Sequence, residues 1–134
     1  MPLQIAQACV FTAICLAGVS AHALTINFDF THDNGYFTSD TERLARLQQA
    51  AGFYSGFSDS LNQINPGTGD SWKVVFNNPS NVGMQVIETD LQVAQDSIRV
   101  FVGASAMGAG VLGYATTGTI FDVIGSAQFQ DDLY

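Results

Sequence analysis

The spacing of apolar residues switches repeatedly between two periods along this chain, and that succession limits the folds open to it. Leu24-Thr25-Ile26-Asn27-Phe28-Asp29-Phe30 alternates apolar and polar side chains, the period-2 signature of a strand with one wet face. Thr31-His32-Asp33-Asn34-Gly35 then turns the chain, with Asn-Gly supplying residues that tolerate positive φ. Leu44, Leu47, Ala51 and Tyr54 recur at helical intervals, continued by Phe57 and Leu61, while Arg43, Arg46, Gln48 and Gln49 fall on the opposite side. Ser39 and Glu42 have capping-box spacing. The helix is expected to stop between Phe57 and Gln63, ahead of Asn65-Pro66-Gly67.

Period 2 returns in Ser71-Trp72-Lys73-Val74-Val75-Phe76, with Trp72, Val74 and Phe76 on one face. Asn77-Asn78-Pro79-Ser80-Asn81 reads as a loop, Met84 to Glu88 as a weaker strand, and Ser97 to Gly103 as a strong one. Gly103, Gly108, Gly110, Gly113 and Gly118 lie among Ala, Ser and Thr and mark residues 103–118 as a loop-rich segment. Phosphate-cradling glycine loops carry a Lys or a Gly-Lys-Ser/Thr element, and no lysine follows here. Residues 125–134 have helical character and stop on Asp131-Asp132-Leu133-Tyr134 without a polar tail. The order strand–helix–strand predicts a right-handed crossover that sets the first two long strands parallel. The fold class is α+β (α/β-like): a small twisted mixed sheet of about 3–5 strands backed by one long helix.

Residues 1–23 stand apart. An apolar run from Ala8 to Val19 precedes Ala21-His22-Ala23. The run is shorter than the roughly 20 residues that span a bilayer, and the small-x-small triplet suits signal peptidase. These residues therefore read as a cleavable signal peptide, although no Lys or Arg precedes the run; the true start could lie upstream of Met1. The expected destination is secreted, periplasmic or cell-surface. Residues 24–134 then form a single domain, and its abrupt end reads as an incomplete one.

Cleavage would remove both cysteines, Cys9 and Cys15, leaving no disulfide to support a small exported domain. Four basic residues against twelve acidic ones give a net charge of −8, which opposes binding to phosphate backbones and to anionic lipid. No nucleic-acid partner and no stable membrane insertion after cleavage are expected.

Chemistry is sparse. His32 is the one histidine after residue 23, in a turn where an exposed or capping role is expected. Nucleophilic catalysis needs nucleophile, base and orienter together, and zinc needs three or four ligands. Asp29, Asp33 and Asn34 with the bend at Gly35 offer clustered oxygens of the kind calcium takes, without EF-hand spacing. Asp59, Asp70, Glu88, Asp90 and Asp96 could supply the two carboxylates of a glycosidase, but no spacing pairs them; a solvated acidic face is the plainer reading. No catalytic, cofactor-binding or metal-ligating residue is assigned, and no cofactor is expected in this chain.

Several blocks together resemble the N-terminal part of secreted bacterial zincin-type metalloproteases, including those with an exosortase-type C-terminal sorting signal. The blocks are Leu24-Thr25-Ile26-Asn27-Phe28 with Gly35-Tyr36-Phe37, then Leu47-Gln48-Gln49-Ala50-Ala51 running into Phe57-Ser58-Asp59-Ser60-Leu61. Asp70-Ser71-Trp72, Phe76-Asn77-Asn78-Pro79 and Asp96-Ser97-Ile98-Arg99-Val100-Phe101-Val102-Gly103-Ala104 complete them. The resemblance implies a twisted sheet backed by a helix, with a zinc-binding His-Glu-x-x-His helix afterwards. That motif holds zinc through two histidines on one helix face and uses the Glu as general base. It is not in this sequence, so no catalytic residue carries over, and zinc is implied for the full-length family only. The expectation is a non-catalytic front portion of an exported protease, inactive as it stands, with part of one apolar sheet face uncovered. The alternatives are a complete small exported binding or structural protein with an acidic surface and, more weakly, a carboxylate-dependent hydrolase.

Overall fold

A computed structural model describes residues 23–57, 60–106, 108–110 and 113–134. The signal-peptide segment up to His22, with Cys9 and Cys15, lies outside the described residues, as does Asp59. The class is α+β: among the described residues there are five strands in two sheets with two helices. The strands are β1 (Thr25–Asp29), β2 (Ser71–Asn78), β3 (Asn81–Thr89), β4 (Ser97–Phe101) and β5 (Thr119–Ile124). The helices are α1 (Thr41–Gly52), continued by a 3₁₀ turn at Phe53–Gly56, and α2 (Ala127–Leu133).

The parallel partner of β1 is β4 rather than β2. Both edges of β2 are already taken, by β3 across the tight Pro79-Ser80 turn and by β5, each antiparallel. Asp96 sets the alternative pairing. In the left-handed region at φ 54, it donates its N–H to Leu61 O (3.1 Å), accepts Leu61 N–H on Oδ1 (3.2 Å), and accepts Thr25 N–H on its carbonyl (2.9 Å). One buried aspartate thereby joins the loop after α1 to the first residue of each parallel strand. Aspartate tolerates this backbone better than most residues because its short side chain bonds locally.

Helix α1 begins one residue later than the capping-box spacing places it. Asp40, not Ser39, accepts Glu42 N–H (2.9 Å) and Arg43 N–H (3.2 Å), while the Ser39 hydroxyl donates to the Gly35 carbonyl. The apolar stripe holds through Leu44, Leu47 and Ala51. It then fails, because Gly52 leads into the 3₁₀ turn and Phe57 becomes extended, its carbonyl accepting Leu24 N–H (3.0 Å). Phe53, Tyr54 and Phe57 are consequently exposed.

The interior lies against β2. Trp72 and Val74 are buried with Phe129 of α2, and Ile64, Phe76, Leu91, Ile120, Val123 and Leu133 pack around them. Ser126 caps α2 by accepting Phe129 N–H (3.2 Å), which aims the Phe129 ring at β2. Gly118 lies so close to Val74 that a Cβ there would collide with it, which explains one glycine of the loop-rich segment by packing alone. Among the described residues of that segment, 103–118 contains no helix or strand. No described helix is long and apolar enough to cross a membrane.

Candidate functional site

The most organised cluster of chemically versatile side chains sits where the two sheets meet. His32 follows β1, and its chain direction, set by the Asp33 turn, brings the imidazole against two aromatic rings. One is Phe76 of β2 (centroids 5.8 Å apart) and the other Phe101 of β4 (5.7 Å). The two phenylalanines stack on each other at 4.4 Å with 17° between planes, a near-parallel pairing of two apolar rings. His32 Nε2 lies 3.2 Å from Glu88 Oε1 on β3. The histidine is therefore a half-buried bridging residue, not the exposed or capping one expected of its turn; the tertiary meeting of β1, β2 and β4 overrides the local signal.

Asp33 makes that turn. Its Oδ2 accepts Phe37 N–H (3.1 Å), Thr38 N–H (3.0 Å) and the Thr38 hydroxyl (3.0 Å). Burial alone would raise the Asp33 carboxyl; the bonds from Thr38, Phe37 and Tyr36 outweigh it and hold the group below its ordinary value. Asn34 reaches the other way, donating from Nδ2 to the Ala104 carbonyl beyond β4 (3.2 Å).

Asp29 has a separate set of partners. Its Oδ1 accepts the Thr31 N–H (2.8 Å) and hydroxyl, and its Oδ2 accepts Arg99 Nε (3.0 Å) and Nη2 (2.9 Å) in a fork. Burial pushes its carboxyl up, but the Thr31 bonds and the Arg99 charge together bring it below its ordinary value. The oxygens that suggested a cation loop are thus occupied differently: Asp29 binds a guanidinium and Asp33 caps backbone N–H groups. Among the described residues no group of three or more His, Cys, Asp and Glu is placed to hold a metal ion.

The remaining carboxylates are dispersed among structural roles. Asp70 accepts Gly67 N–H (3.2 Å) and Ser126 N–H (3.0 Å), tying the start of β2 to the start of α2. Asp90 accepts Trp72 N–H (3.0 Å), Asp96 accepts Leu61 N–H, and Glu88 meets His32. Each of these four faces a different partner, and the hydrogen bonds join no two of them. The histidine–carboxylate pair is the element closest to acid–base chemistry. It stands beside the Phe76–Phe101 stack and links the turn after β1 to β3.

The sequence carries one sign of this junction, the apolar positions Phe76 and Phe101 in line with their strands, but nothing that pairs them with His32. An open groove of about 360 Å³ lies between the β1 segment and α1, lined by Ile26, Phe28 and Phe30 on one side and by Leu44, Gln48 and Ala51 on the other. No protein-family model, curated protein or solved structure matches the chain.

Proposed function

We propose that this chain is the non-catalytic N-terminal portion of an exported zinc-dependent metalloprotease, inactive as it stands. The observation that carries the reading is the pairing of the two most distinctive blocks of the resemblance. Leu24-Thr25-Ile26-Asn27-Phe28 and Ser97-Ile98-Arg99-Val100-Phe101 lie side by side as parallel strands, with α1 following the first. The apolar side of that pair is thinly covered: α1 has no fully buried residue, and Ile98 remains 40% exposed. Such a surface suits a sheet that further chain would cover.

The coding sequence downstream of the Tyr134 codon tests this reading. A frame encoding His-Glu-x-x-His, in register or shifted by a base, supports it; a stop followed by unrelated sequence overturns it. Export is tested separately, by the N-terminus of protein recovered outside the cytoplasm, expected at Leu24.

The second reading, a complete small exported binding protein, draws on exposed Phe53, Tyr54 and Phe57, three rings within five residues. If it holds, replacing those rings with Ser weakens retention of the protein on its partner surface without loss of cooperative unfolding.

A further inference from the structure

We propose that Asn34 is a spontaneous deamidation site that slowly converts the turn after β1 into an aspartate or isoaspartate turn. Asn34-Gly35 is the one Asn-Gly pair in the sequence. The reaction requires the backbone nitrogen of the following residue to reach the asparagine Cγ, and the fold bears on that requirement at every other described asparagine. Asn65 and Asn78 precede proline, which has no N–H to lose. Asn27, Asn77 and Asn81 lie in strand ladders that hold the backbone extended. Asn62 is exposed in a loop, but Gln63 follows it and brings a Cβ to the attacking nitrogen. Asn34 is exposed, lies outside any helix or strand, and precedes a glycine at φ +92 whose would-be Cβ has nothing within 4 Å. To bring Cγ to the Gly35 nitrogen, the Asn34 side chain has to leave its bond to the Ala104 carbonyl.

The step balances with water as co-reactant. Hydroxide removes the Gly35 amide proton, the nitrogen attacks Asn34 Cγ, and the N–Cγ bond forms as the Cγ–Nδ2 bond breaks and ammonia leaves. Water then opens the succinimide at either carbonyl, returning the proton, to give aspartate or isoaspartate. The product bears one more negative charge and no amide donor. The Asn34 bond to the Ala104 carbonyl is lost, and a carboxylate is left facing that oxygen. Isoaspartate also adds a methylene to the backbone directly after Asp33, whose carboxylate caps Phe37 and Thr38.

Full-length protein is incubated at 37 °C and pH 8, and the peptides holding Asn34 and Asn62 are followed by mass and isoaspartate content. The expected result is conversion at Asn34 about tenfold or more faster than at Asn62, with both products present and a rate rising in proportion to hydroxide. Asn34→Gln abolishes the signal, because the longer side chain cannot close the same ring. Asn34 surviving as well as Asn62 overturns the proposal. So does a rate that tracks the unfolded fraction when denaturant is varied below the transition, since the native turn would then be protective. The outcome is independent of whether the chain belongs to a protease.

Discussion

The two sheets of this protein are built to different standards of closure. The three-stranded sheet, β3–β2–β5, carries Trp72 and Val74 on a face covered by Phe129 of α2, and these three are the buried apolar side chains among the described residues. The β1–β4 pair has comparable apolar content in Ile26, Phe28, Ile98 and Val100, yet all of it stays half-buried or exposed, and α1 leaves a groove beside it. What α1 and its turn supply instead is polar: Asp40 at the cap, Asp33 in the turn, and the Asp29–Arg99 fork at the strand ends. One half is held by burial and the other largely by directed hydrogen bonds. Hydrophobic burial scales with area removed from water, whereas hydrogen bonds exchange with solvent for a smaller net gain. The first half should therefore be the more stable of the two.

Substitutions can break that comparison. The largest effect is expected from Phe129→Ala, which empties the site between α2 and β2 and should cost about 3–5 kcal/mol in urea denaturation followed by circular dichroism. Ile26→Ala, a similar deletion in the open half, should cost less than about 2 kcal/mol because the groove already admits water. Equal losses would show that the β1 face is better packed than its exposure suggests.

Arg99→Ala comes next. It leaves Asp29 without the fork while Thr31 still donates to the other oxygen, and a loss of about 1–2 kcal/mol is expected. Hydrogen exchange should place the loss in β1 and β4 and leave β2 protected.

Acid offers a smaller, graded test. Asp29 and Asp33 titrate below the ordinary value of 3.8 in the folded chain. Carboxylates depressed by folding contribute stability that is fully present above that value and lost as pH falls through their lower folded values. Exchange in β1 and in the turn to α1 should thus accelerate below pH 3.8, ahead of β2, and Asp29→Asn should remove part of that pH dependence. The smallest effect belongs to Lys73→Met. Its ion pair with Asp122 (2.9 Å) joins two solvent-exposed side chains, so a change under about 0.5 kcal/mol is expected.

The same division explains what the sequence disclosed. Alternation located β1 and β2 because each has one wetter and one drier face; it also located β4, although burial along Ser97–Phe101 does not alternate, and the Leu44, Leu47, Ala51 stripe located α1. Strand β5 escaped because its period is broken. Ser71 to Lys73 on β2 takes two steps while Phe121 to Ile124 on β5 takes three, and the extra residue falls by Asp122, at φ 52. A bulge of this kind shifts later side chains to the opposite face, so Ile120 and Val123 both turn inward three residues apart. The partner of β1 was hidden for another reason. It depends on Asp96 adopting a left-handed backbone and bonding to Leu61, a long-range contact with no local pattern. His32 is similar: its surroundings come from Phe76, Glu88 and Phe101, all far along the chain, so the turn residues around it announced the turn and not the junction.

Trp72 is the sole tryptophan of the chain, 4% exposed, with its indole Nε1 donating to the Leu91 carbonyl (3.2 Å). Its fluorescence therefore samples one side of the molecule. Loosening of β1, β4 and α1 would leave the indole in its pocket and its emission nearly unchanged. A melting curve taken at that wavelength would look like a single sharp transition even if half the chain had already let go.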